Sequence, residues 1–206
     1  MENRSSQSWA NGGPLVMFSV AVLVACLGGF RAGFVPISSA PLMVGVLVAC
    51  SLPQIVGGII AYRREEILLG TISCLFGTTV TLGAALTLWI QVFEAPAPGA
   101  FTPELMGFFW ITMAVLTMVL AIGFGRLSWF LLLGIAEVGV VFLLEGLYSL
   151  QGAPIGPNGF ITLQLANVAG YLELGFAFFC AYAGSAILLG EHFQKPVLPL
   201  GAPLFK

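Results

Sequence analysis

Aspartate is absent from this 206-residue chain, histidine occurs once, as His192, and only 8% of the residues are charged. A water-soluble domain carries about a quarter of its residues as charges. This chain cannot build such a surface, so it reads as an integral membrane protein lying almost wholly in the bilayer. A net charge of −2 gives no basic footprint for nucleic acid. There is no Gly-rich phosphate loop, no His/Cys cluster and no histidine at depth to activate a serine, so neither an enzyme site nor a metal or cofactor is expected. Cys26, Cys50, Cys74 and Cys180 all lie in apolar runs without metal-ligand spacing, where a free cysteine packs as a small hydrophobe.

What the chain does have is apolar length: 59% of it is hydrophobic. A bilayer core takes about 20 apolar residues per helix. Six stretches qualify: 14–30, 40–62, 67–93, 105–124, 127–148 and 161–190. The predicted fold is therefore all-α, a polytopic bundle of six transmembrane helices over residues 14–190. A polar segment 1–13 precedes it and a tail 191–206 follows. The start shows no signal-peptide pattern, so the first span is expected to stay in place. With the N-terminus inside, Arg4, Arg63, Arg64, Arg126, Lys195 and Lys206 are cytoplasmic, against Arg31 alone outside. The positive-inside rule then predicts an N-in, C-in topology, here in the plasma membrane.

Small residues recur at four-residue spacing in span two (Gly45, Ala49, Pro53, Gly57, Ala61) and span six (Ala177, Ala181, Ser185), a pattern that lets helices approach closely in lipid. Pro53 removes a donor in mid-span and frees the carbonyl near Ala49. The neighbouring Gln54 is placed to satisfy that carbonyl or to line a water path.

Glu137, Glu145 and Glu173 interrupt runs that carry no other charge. An ionisable group at the centre of a span costs roughly 2.5 kcal/mol or more and faces a bundle interior or a wet cavity. Glu137 and Glu145 are about 80° apart around span five and about 12 Å apart along it. Glu145 is expected to reach the outer interface, whereas Glu137 and Glu173 are expected well inside. No Lys, Arg or His falls at matching depth, so no buried ion pair is expected, and hydroxyls such as Thr71, Tyr171 and Tyr182 are the candidate partners. Interhelical glue, a polar pathway and a lipid or subunit contact all remain open for these carboxylates.

Several motifs resemble the acetate uptake transporter family, also called succinate–acetate permeases. Asn11-Gly12-Gly13-Pro14-Leu15-Val16-Met17 is similar to the family's opening signature, and Gln54 to Arg64 resembles its second-span exit. Thr71 and Phe76-Gly77 occupy third-span motif positions. Ala169-Gly170-Tyr171, Tyr182 and Leu198-Pro199-Leu200-Gly201 follow the C-terminal elements. The resemblance implies a six-helix protomer in a hexamer, each protomer with a narrow monocarboxylate pore. It also implies a constriction whose positions fall at Val20, Phe76 and, within a residue, Glu137. An ionised Glu137 there would repel acetate, and a protonated one would donate to it or carry a proton.

The expected function is a channel or proton-linked transporter for small monocarboxylates such as acetate. Its substrate pathway is expected to include Asn11, Val20, Gln54, Thr71, Phe76, Glu137, Glu173 and Tyr182. The alternatives are a pore for a neutral solute or ammonium, suited to a glutamate-lined path, and a non-transporting subunit that binds a partner membrane protein. The partners expected are the lipid bilayer, the small solute and further copies of the chain.

Overall fold

The computed structural model describes residues 9–94, 103–152 and 164–205. Six helices in it are long and apolar enough to cross a membrane: α1 Gly13–Arg31, α2 Ala40–Arg63, α3 Ile67–Glu94, α4 Glu104–Phe124, α5 Trp129–Leu150 and α6 Gln164–Phe193. No strand occurs among the described residues. Every expected span is a helix, and most of the predicted ends fall within two residues of the observed ones. The predicted start of the sixth span lies outside the described residues, and α6 runs on through His192 to Phe193.

Local chemistry sets the helix ends. Pro14 lies in the first turn of α1, where its missing N–H costs nothing. Asn11 Oδ1 accepts from Gly13 N at 2.8 Å, and Asn11 Nδ2 donates to Glu191 Oε1 at 2.7 Å, fixing the start of α1 to the end of α6. The α2 helix closes through Glu65, whose φ of 64° turns the chain so that Glu66 N donates to the Ala61 carbonyl at 3.0 Å. Ser128 caps α5, its Oγ accepting from Phe130 N and Leu131 N.

Two turns of α3, Phe76–Leu82 and Ile90–Glu94, are wound as π-helix, which hydropathy alone does not predict. Wider π turns shift the faces that side chains present and occur often at functional sites.

The helices form a ring in chain order, each packed on the next, with α6 closing back on α1. Gly28 and Gly170 allow that closure. A Cβ at Gly28 would lie 2.8 Å from the Gly170 carbonyl oxygen, so only glycine lets α1 and α6 come this close. For description, the end of the bundle bearing Arg31, Ala40 and Gly152 is the upper end. The end bearing Gly13, Arg63 and Phe193 is the lower end.

The C-terminal segment folds under the lower end. Trp129 N donates to Ala202 O at 3.0 Å, Leu204 N donates to Gly125 O at 2.8 Å, and Ser128 Oγ donates to Leu200 O. Tyr182 Oη donates to Pro199 O at 2.9 Å.

Candidate functional site

Inside the ring lies a cavity of about 740 Å³ lined by all six helices. Counting residues from the lower helix ends separates three levels. At the floor are Val20, Gln54, Phe76 and Val138, the last three each nine residues from the lower end of their helix, about 13 Å. Above them Trp110, Phe142 and Phe176 form an aromatic collar. Phe142 stacks on Trp110 at 5.3 Å and meets Phe76 edge-on at 5.5 Å. At the top Arg31, Glu145 and Glu173 share the wall with Tyr148 and Ser149.

Gln54, 1% exposed, is held at the floor from both sides. Its Nε2 donates to Cys50 O at 3.0 Å, and its Oε1 accepts from Thr81 Oγ1 at 3.3 Å, within the first π turn. The carbonyl it satisfies is thus that of Cys50 rather than Ala49. Its contact with Thr81 ties α2 to the irregular part of α3, so the winding of α3 and the polarity of the floor depend on each other.

The upper level overturns one expectation from the sequence. Glu145 and Glu173 do form a buried ion pair, and both do so with Arg31. Arg31 Nη2 lies 2.9 Å from Glu145 Oε2, and Arg31 Nη1 donates to Glu173 Oε1. The three side chains are 14%, 5% and 4% exposed, so Glu145 does not reach the interface as expected. One oxygen of each carboxylate, Glu145 Oε1 and Glu173 Oε2, has no hydrogen-bond partner among the described residues.

The physical reason for the missed pairing is register. Depth measured from the upper end of α6 puts Glu173 far below Arg31. The Asn11–Glu191 contact, however, aligns α1 and α6 at their lower ends. From there, eighteen residues separate Gly13 from Arg31 and again Glu191 from Glu173, about 27 Å of helix in each case. At 30 residues α6 overshoots the 19-residue α1, and the arginine that ends the short helix meets the middle of the long one.

Of the eight residues expected on a substrate path, the cavity brings together Val20, Gln54, Phe76 and Glu173. Val138, not Glu137, lines the floor from α5; one residue is 100° of rotation and carries the carboxylate off the wall. Glu137 is half-buried against α6, where a Cβ on Gly175 would come within 3.0 Å of its Oε1. Thr71 is bonded to Tyr62 Oη at 3.0 Å between α2 and α3, and Tyr182 anchors the tail.

Asn11 lines a recess at the lower end with Trp9, Arg64, Glu191 and Lys195. There Arg64 Nε donates to Glu66 Oε1 at 2.7 Å, and this hydrogen bond raises the Arg64 pKa above its ordinary value. Arg31, Glu145, Trp110, Val138, Phe142 and Phe176 are among the cavity residues that the expected path did not include.

Residues 1–201 match the model of the GPR1/FUN34/yaaH family. The solved structure of the bacterial acetate channel SatP superposes with a TM-score of 0.80, covering 93% of this chain and 99% of that one at 18% sequence identity. At that identity the likeness shows the fold. No curated protein matches the chain by sequence.

Proposed function

The chain belongs to the GPR1/FUN34/yaaH family, and from that premise we propose that its bundle is a transport path for a small monocarboxylate such as acetate. The observation that carries the reading is the lining of the cavity. A space lined by six helices passes from a charged upper level through aromatic side chains to Val20, Phe76 and Val138. A solute of a few heavy atoms has room above. To cross the floor it must lose its water among apolar side chains, which selects by width and rejects strongly hydrated ions. Gln54 and the Thr81 hydroxyl bonded to it are polar groups at that level, and Glu173 lies on the path above them. Asn11 and the lower recess then lie where the solute leaves. Thr71 and Tyr182 support the path from outside the cavity, and Glu137 stands beside it.

The topology in this reading is N-in, C-in in the plasma membrane, with 1–13 and 191–206 cytoplasmic. Assembly of the protomer as a hexamer is carried over from the family resemblance alone. The path serves either a passive channel or proton-linked transport, and the pH dependence of uptake separates the two. The two buried carboxylates on the wall favour a second reading, a neutral solute or ammonium.

Uptake of labelled acetate into liposomes containing the purified protein tests the proposal. Wild-type protein should take up acetate, faster in acid if a proton moves with it. No uptake at any pH sinks the monocarboxylate reading, and liposome swelling in urea or ammonium solutions then identifies its rival.

A further inference from the structure

Arg31 stands in the cavity wall between two carboxylates that are chemically the same group as the proposed solute, each tethered to its own helix. An arginine binds a carboxylate best fork to fork, through two parallel N–H···O contacts. Neither glutamate has that geometry here. Nη2 faces Glu145 and Nη1 faces Glu173, so each carboxylate takes one nitrogen of the fork. The remaining oxygens, Glu145 Oε1 and Glu173 Oε2, have no hydrogen-bond partner among the described residues, although both side chains are more than nine-tenths buried. An ion pair that serves only to hold helices together gains stability by filling such lone pairs. This one leaves them over.

Charge points the same way. With both carboxylates ionised, the trio carries one surplus negative charge beside the one cation among the described residues of the cavity wall. The wall that offers a guanidinium to an anion also repels that anion.

On the monocarboxylate reading, we infer that Arg31 is the carboxylate-recognition residue of the cavity, and that Glu145 and Glu173 are tethered competitors for its fork. A solute carboxylate binds by replacing one of them on the guanidinium and gains the two-nitrogen contact that neither tether has. The tethers keep binding weak enough for release, which conduction requires. They also keep a buried cation partnered between solutes. Replacing one carboxylate by its amide removes a competitor and the surplus charge together, and both changes favour the solute.

The test compares uptake of acetate with uptake of acetamide, its neutral isostere, in liposomes. The proteins are wild type, Glu145→Gln, Glu173→Gln and a triple variant with Arg31→Gln added to both. Each single Gln variant should lower the KM for acetate on the order of tenfold and change the KM for acetamide far less, so that the ratio of acetate to acetamide uptake rises. The triple variant should lose the preference for acetate over acetamide. Quenching of tryptophan fluorescence by acetate, with Trp110 in the cavity wall, should shift to lower acetate in step with KM. If wild type transports acetate and both Gln variants keep its KM, the competition is refuted and the transport reading stands. If acetate and acetamide respond in parallel, the trio only props the helices and the inference fails. If no protein takes up acetate, both fall.

Discussion

At the tail junction, in the lower half of the bundle, the polar groups find partners close at hand. Ser128 Oγ accepts from two backbone N–H groups and donates to Leu200 O, while Trp129 N and Leu204 N bond carbonyls across the tail junction. In the upper half a single guanidinium joins α1, α5 and α6 and, among the described residues, each of its two carboxylates keeps one oxygen without a partner. Filled hydrogen bonds are worth about 1 kcal/mol each and resist exchange. A cation shared between two anions exchanges one of them when a better partner arrives. The tail junction is therefore built to persist and the trio to change partners.

The most severe way to break this contrast is Arg31→Ala. It leaves two buried carboxylates without their cation and should cost about 3–5 kcal/mol, read as a large drop in the unfolding midpoint in detergent. Adding Glu145→Gln and Glu173→Gln should recover much of that loss, which a purely steric role for Arg31 would not allow. Next in size is Gly170→Val. It forces α1 and α6 apart at the level of the trio, costing about 2 kcal/mol by overpacking and lowering acetate uptake with it.

The lower half should respond more mildly and without an effect on solute selection. Ser128→Ala should cost about 1 kcal/mol through the lost cap. It should also quicken limited proteolysis at residues 196–205 while leaving the ratio of acetate to acetamide uptake unchanged. Tyr182→Phe, which removes one bond to Pro199, should show the same pattern at about 0.5–1 kcal/mol. A shift of that ratio in either lower-half variant would erase the division between the halves.

The spans were legible because lipid requires long apolar helices, and hydropathy records that requirement residue by residue. The depth of a charge was not legible in the same way. It depends on which ends of two helices are level, and the Asn11–Glu191 contact that levels α1 and α6 joins residues 180 apart in sequence. A count of α6 from its lower end would have found the Arg31–Glu173 match, although nothing in the sequence says which end to count from. The floor was half legible. Val20 and Phe76 were reached, but on α5 a one-residue error exchanged a buried valine for a carboxylate turned toward α6. The π winding of α3 and the docking of the tail were hidden because both rest on backbone geometry rather than on side-chain pattern.

The distance in sequence between Arg31 and its partners has a consequence during synthesis. The arginine emerges with the first helix, but Glu173 follows 142 residues later. At about 5–20 residues per second the interval is on the order of ten seconds. Through that interval the guanidinium has no bundle to enter and must wait at the edge of the lipid, its long side chain reaching into water. Only when the last helix slides in beside the first, glycine against glycine, is the charge drawn beneath the surface. The trio thus closes the ring as its final step, and a chain truncated before Glu173 would leave α1 holding a cation with one of its two anions missing.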